Sequence, residues 1–164
     1  MIRHADTHDA DAIRAIYNYY VTDTVVTFEE EPVSRGEMAS RIEKVTERFP
    51  WLVYEEAGRI LGYAYAKRWL TRASYRHTAE STVYLAPDAT GKGIGSALYT
   101  ELFAVLCGAG ELHAVIAGIA LPNPASVALH EKFGFRRAGL FREVGYKFNT
   151  WIDVGFWQRA VRAR

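Results

Sequence analysis

The chain has 164 residues, 49% of them hydrophobic and 24% charged, a formal net charge of +1 and one cysteine. That balance suits one globular domain over residues 1–164, with enough chain to bury a core. It excludes a disulfide scaffold, gives no basic stripe for nucleic acid, and offers no apolar run long enough to enter a membrane.

Residues 1–11 mix acids, bases and histidines and are unlike a leader peptide. Residues 2–5 read as a short strand. Thr7 or Asp9 caps a helix whose apolar positions, Ile13, Ile16, Tyr17, Tyr20 and Val21, follow a helical period. Ser34 and Glu37 have capping-box spacing and open a second helix that runs through Glu47. Residues 51–55 and 60–68 are β-rich and join at Gly58 as a hairpin. Residues 69–77 form a loop rich in basic and aromatic side chains, and residues 78–86 form the next strand. Residues 93–108 read as a helix in which Cys107 takes the apolar side, as a buried thiol of a cytoplasmic protein. Residues 112–119 are continuously apolar, as in a central strand. Asn123 before Pro124 caps a helix through Lys132, and Gly134 ends it. Residues 136–144 and 151–159 close the chain as strands. This order predicts an α/β sandwich on a mixed sheet, not a doubly wound parallel one.

Between the 78–86 strand and the helix after it lies Thr90-Gly91-Lys92-Gly93-Ile94-Gly95-Ser96. A glycine-rich strand-to-helix turn exposes several backbone N–H groups beside the positive end of a helix, which suits a phosphate; a tight turn without a ligand is the plain alternative. A Walker A loop ending at Lys92 needs Gly at 86 and Ser or Thr at 93, where Ala86 and Gly93 stand. A dinucleotide fingerprint starting at Gly91 needs Gly or Ala at 96, where Ser96 stands. The loop therefore predicts another pyrophosphate ligand. Glu80 is a charge inside an apolar strand, either a general base or an edge residue facing solvent. His130 is either a proton-transfer group or a helix histidine satisfied by a neighbour. The remaining histidines have no metal spacing, and His130-Glu131-Lys132-Phe133-Gly134 is not a zinc motif because Gly134 replaces the second histidine. No metal is expected.

The element order and the glycine turn resemble the GNAT superfamily of N-acetyltransferases, with Thr90 in place of the leading Gln or Arg of its signature. Asn123 and the ending His130-Glu131-Lys132-Phe133-Gly134-Phe135 extend the match. Residues 78–85, Leu121-Pro122-Asn123 and Asp153-Val154-Gly155-Phe156-Trp157-Gln158 are similar to phosphinothricin N-acetyltransferases, as are residues 49–53 and Tyr75. The resemblance implies a mixed, mostly antiparallel sheet flanked by helices, with a splayed central strand pair. It implies acetyl-CoA as donor and the α-amine of phosphinothricin, methionine sulfoximine or an analogue as acceptor.

On that basis the amides of Gly91, Lys92, Gly93, Ile94, Gly95 and Ser96 hold the pyrophosphate, and the backbone of Val83, Tyr84 and Leu85 pairs with the pantetheine arm. Asn123 reaches the donor from the other side. Glu80 is the general base, and His130 stands where relatives carry a tyrosine acid. Phe28, Arg72, Tyr75 and Glu80 meet the acceptor, with Arg72 clamping its anionic or oxo group. Leu70 stands where the family has a lysine, so the acceptor site has one positive charge fewer. Glu80 and Leu85 face opposite ways in a regular strand, so a β-bulge between them is expected, and a straight, fully paired strand over residues 78–86 would count against it. The aromatic C-terminal run of Phe148, Trp151, Phe156 and Trp157 is expected to be covered by a homodimer, the alternative being that the core of a monomer absorbs it. The competing readings are acetylation of a protein N-terminus or lysine, and a silent acyl-CoA sensor.

Overall fold

The computed structural model describes residues 1–161; the last three positions of the expected domain lie outside the described residues. These contain seven strands in one sheet, ordered β1-β2-β3-β4-β5-β7-β6, and four α-helices. The strands are β1 (Ile2–His4), β2 (Trp51–Glu56), β3 (Arg59–Arg68), β4 (Thr78–Leu85), β5 (Ala114–Leu121), β6 (Arg136–Lys147) and β7 (Thr150–Ala160). The helices are α1 (Ala10–Asp23), α2 (Arg35–Thr46), α3 (Ile94–Ala109) and α4 (Pro124–Lys132). No helix among the described residues is long and apolar enough to cross a membrane.

Contacts divide the chain into two compact units. The first holds residues 1–18, 33–67 and 81–110. Its β1 and β3 flank β2, both antiparallel to it. Ala57 and Gly58, at φ +50 and +75, make the turn between β2 and β3, as Gly58 foretells. In α3, Leu98, Tyr99 and Leu102 are fully buried, and Ile94 and Leu106 nearly so. Each such leucine contributes roughly 1.5–3 kcal/mol.

Cys107 does not follow that stripe. It is exposed on the last turn of α3, beyond Leu106, where the helix has run past the apolar surface it covers. The expectation of a buried thiol is therefore corrected.

The start of α1 also differs from expectation. The cap is Asp6, not Thr7 or Asp9: its side chain accepts from His8 N–H, while Asp9 reaches back to Asp6 N–H across a 3-10 turn at Thr7–Asp9. Asp9 is held in that position by Arg3, whose guanidinium donates to both of its oxygens at 2.8 Å and to Glu55 Oε2 at 2.8 Å. These bonds to Arg3 hold the Asp9 carboxyl below its usual range, against the cost of its burial. A carboxylate lowered in the folded state stabilises above its unfolded pKa, near 4, and loses that contribution as pH falls through its lower folded value. Asp9→Ala should lower the unfolding free energy by about 2 kcal/mol at neutral pH. In urea titrations the deficit should shrink as pH falls below 4, and a pH-independent deficit would remove the ion pair as its cause.

Ser34 caps α2 by accepting from Glu37 N–H, but the Glu37 carboxylate pairs with Arg41 one turn on, so only half of the expected capping box forms.

The second unit holds residues 19–32, 68–80 and 111–161 of the described chain. Here β4 pairs with β5 in parallel for three residues only, Thr78↔Ala114 to Glu80↔Ile116, although both strands run on to Leu85 and Leu121. That is the parted central pair implied by the sequence. β4 is thus not paired to β5 along its length. Its alternating burial gives way to four half-buried residues from Thr82 to Leu85.

β5 begins two residues later than its apolar run. Leu112 is buried, but it precedes the ladder, and His113 N–H donates instead to the His77 carbonyl. β6 continues three residues past Val144 because of irregular pairing between Phe141 and Gly145. Within that irregular stretch, Glu143 sits at φ +50 with its N–H on Asp153 Oδ1 at 2.7 Å.

Candidate active site

In the first unit β4 leads through a 3-10 turn (Pro87–Ala89) into the glycine loop. Thr90 Oγ1 donates to the Pro87 carbonyl, which spends that hydroxyl on the turn itself. Gly91 and Gly93 lie at φ +74 and +80, where a side chain is strained, and a Cβ at either would meet no atom within 4 Å. The space over the loop is open.

Gly93 caps α3 without a side-chain acceptor, and the first turn carries no acidic residue. The first i to i−4 bond runs from Ala97 N–H to the Gly93 carbonyl, so the amides of Ile94, Gly95 and Ser96 have no acceptor within the helix. First-turn amides with no acceptor inside the helix, a helix dipole and open space over the loop fit a diphosphate. The carboxylate of Asp88, close in sequence, is spent on Arg59, which donates to both of its oxygens at 2.7 and 2.9 Å. Lys92 is exposed beside these groups.

Along β4, the Tyr84 ring packs edge-on to Tyr17 at 5.3 Å and tilted to Tyr63 at 5.6 Å. Leu85 lies against Gly62, where a Cβ would fall 2.5 Å from Leu85 Cδ2 and 3.0 Å from the Tyr84 carbonyl. These contacts fix the backbone from Val83 to Leu85 beyond the end of its β5 ladder.

In the second unit Glu80 is half-buried on the last paired residue of β4, opposite Ile116. Asn123 is half-buried and does cap α4: Ser126 N–H donates to its Oδ1 at 3.1 Å. The cap leaves its Nδ2 protons uncommitted to the helix end.

His130 is 4% exposed on α4, edge-on to Phe135 at 5.1 Å. Its Nδ1 lies 2.7 Å from the Ser126 carbonyl oxygen. A carbonyl only accepts, so Nδ1 carries the proton and Nε2 the lone pair. Burial lowers the His130 pKa below the usual histidine range, partly offset by the Ser126 carbonyl. The ring is neutral at pH 7. A neutral ring protonated on Nδ1 has no proton to give from Nε2 but can accept one there.

Tyr75 is half-buried and packs edge-on to Trp69 at 5.1 Å, while Arg72 and Leu70 are exposed on the same loop. Phe28 is 41% exposed, yet its ring sits directly on Gly145, where a Cβ would fall 2.3 Å from Phe28 Cζ. Sequence reading passed over Gly145 and Lys147, because a lysine at a strand end carries no local sign of burial. No group of three or more His, Cys, Asp or Glu among the described residues could hold a metal. A cavity in the first unit, lined in part by Arg3, Asp9, Ile16 and Arg59, contains none of the expected site residues. Its charged groups are already spent on ion pairs.

A glycine loop opens onto a helix end that has no side-chain cap, after a strand whose ladder with β5 stops early, and such a loop suits a ligand that carries phosphates. Residues 2–155 match the acetyltransferase (GNAT) domain family, and the chain belongs to it. It is an acetyl-CoA-dependent N-acetyltransferase.

The chain is 42% identical to the phosphinothricin N-acetyltransferase of Streptomyces viridochromogenes over 96% of its own length and 86% of that protein's. It is 36% identical to the L-methionine sulfoximine/L-methionine sulfone acetyltransferase of Salmonella typhimurium, over 96% and 92%. Among solved structures, the phosphinothricin acetyltransferase of Sinorhizobium meliloti in complex with AcCoA matches with a TM-score of 0.93 and 40% identity, over 98% of this chain and 87% of that one.

Proposed function

We propose that this enzyme acetylates the α-amine of a small amino acid bearing a tetrahedral oxo group, of the phosphinothricin or methionine sulfoximine kind. The observation that carries the reading is the likeness, over nearly the whole chain, to enzymes named for those acceptors. The roles follow from the family resemblance and from the chemistry of each group.

The amides of residues 91–96 hold the donor's diphosphate, with Lys92 adding charge. The backbone of Val83, Tyr84 and Leu85 pairs with the pantetheine arm as an extra strand would. Asn123 uses Nδ2 toward the donor, its oxygen being spent on the cap. Glu80 accepts a proton from the acceptor ammonium, and the freed amine attacks the thioester carbon. The C–S bond then breaks, the nitrogen sheds its extra proton as the amide forms, and the departing thiolate takes up a proton in its place. His130, its Nδ1 held at the Ser126 carbonyl, serves the reaction through Nε2, in proton transfer or in positioning the amine. Arg72 pairs with the acceptor's oxo or anionic group, and Phe28 and Tyr75 line its side chain.

The test is product mass spectrometry with acetyl-CoA and a panel of acceptors. kcat/KM should be highest for phosphinothricin, methionine sulfoximine or methionine sulfone. A peptide N-terminus as best acceptor would replace the reading with protein acetylation, and no turnover on any amine would leave an acyl-CoA sensor. Within the panel, Arg72→Ala should raise the acceptor KM by about 10- to 100-fold, the loss of a charge-assisted pair, and leave the acetyl-CoA KM unchanged. Equal rises in both constants would rule out the clamp.

A homodimer belongs to the same reading. Phe141, Val144, Tyr146 and Trp151 are more than half exposed on β6 and β7, and β6 ends the sheet. Sedimentation should give twice the monomer mass, and a monomer at micromolar concentration would count against it. A cytoplasmic location is proposed from the lone cysteine.

A further inference from the structure

Lys147 is a buried charge with no part in the chemistry above. It is 2% exposed at the end of β6. Its ammonium donates to the Thr27 carbonyl at 2.8 Å and to the Tyr20 carbonyl at 3.4 Å, and lies 5.1 Å from the Phe148 ring centroid. Burial lowers its pKa below the usual lysine range, with the charge of Glu30 opposing that shift. An ammonium out of water is costly unless its protons are spent on acceptors. Here they are spent on the Tyr20 carbonyl near the end of α1 and on the Thr27 carbonyl in the segment between α1 and α2.

Two residues earlier on the same strand, Gly145 receives the Phe28 ring so closely that no Cβ would fit. Alternate residues of a strand share a face, so β6 presents Gly145 and Lys147 side by side to consecutive residues Phe28 and Thr27. The segment contributes turns of its own: Val26 N–H donates to Thr24 Oγ1, and Glu29 N–H to Thr27 Oγ1. Such local turns set its shape but do not fix it to anything else.

We infer that Lys147 and Gly145 form a clamp that fixes the Phe28 segment, and that Lys147 is thereby a positioning residue for acceptor binding. The inference rests on the reading of Phe28 as an acceptor-site residue. The lysine supplies charge-assisted bonds to main-chain oxygens, and the glycine supplies the floor on which the aromatic ring rests. The clamp belongs to the second unit and the donor loop to the first, and the expected effect is on the acceptor alone.

The test uses four variants of the full chain, Lys147→Met, Lys147→Arg, Gly145→Ala and Phe28→Ala, assayed for both KM values and kcat. Amide hydrogen exchange is followed over residues 24–32. Lys147→Met should raise the acceptor KM at least about tenfold, hold the acetyl-CoA KM within about twofold, and speed exchange in that segment. Lys147→Arg keeps the charge and the donors and should recover most of the loss. Gly145→Ala retains the lysine yet lifts the ring, and should give the same acceptor-specific rise even if Lys147→Met does not fold. Parallel rises in both KM values would overturn the inference. So would an unchanged acceptor KM in the Lys147 and Gly145 variants beside a raised one in Phe28→Ala, and the acceptor site itself would then stand. An unchanged acceptor KM in Phe28→Ala would instead overturn the acceptor role of Phe28, and with it the link from clamp to substrate.

Discussion

Glu80→Gln should lower kcat by about 10²- to 10³-fold while acetyl-CoA binds as before, because a positioned general base contributes within that range. The substitution keeps the shape and half-burial of the side chain at the last paired residue of β4. It removes only the ability to take a proton. The acceptor must then arrive with its amine already free, and the α-ammonium of a free amino acid, beside its own carboxylate, holds its proton to higher pH than the roughly 7.7–8.0 of a peptide N-terminus. The deficit should therefore narrow toward the alkaline end of the range, well above a pH of about 8, where solvent does what the carboxylate did. Steady-state rates from pH 6 to 10, with calorimetric titration of the donor, measure both parts. Turnover equal to the parent enzyme at pH 7 would remove Glu80 from the chemistry.

Gly93→Val should weaken coenzyme A binding by about 10²-fold, or some 2.7 kcal/mol. Valine is β-branched and resists φ +80, so the loop relaxes toward negative φ and the amides of residues 94–96 turn away. The strain is in the backbone rather than in packing, since a Cβ there meets nothing within 4 Å. The fold should survive with a loss of about 1–2 kcal/mol or somewhat more, within a typical total of 5–15. Gly58→Val is the matched control: its φ of +75 imposes similar strain on the β2–β3 turn. The control should lose stability and keep its affinity. Unaltered affinity in Gly93→Val would sink the assignment of these amides to the diphosphate.

What the sequence disclosed was local. Gly58, Gly91 and Gly93 announce left-handed backbone because few other residues tolerate it, and Asn123 before Pro124 announces a helix start because both fit that geometry. The start of α1 was harder, since Asp6, Thr7 and Asp9 are all capping types within four positions. The choice was made by Arg3, which claims the Asp9 carboxylate. Phe28 meets Gly145 and Thr27 meets Lys147 across more than a hundred residues, and neither contact leaves a periodic trace. β6 runs three residues past Val144 for a nearer cause: its pairing with β7 is irregular where Glu143 N–H donates to Asp153, ten residues on, and a side-chain acceptor on the neighbouring strand leaves no period in the sequence. The glycine loop was thus legible at first reading, whereas the support beneath Phe28 was visible only in three dimensions.

The exposed sulfur of Cys107 has a practical effect on how this enzyme is measured. Chromogenic disulfides that report free coenzyme A will also react with the protein, adding a stoichiometric blank of one equivalent per chain. The same sulfur lies thirteen residues along α3 from Ile94, about 20 Å by helical rise. A fluorophore attached there would sit on the helix whose opposite end carries the proposed diphosphate site, and should report coenzyme binding without occupying that site.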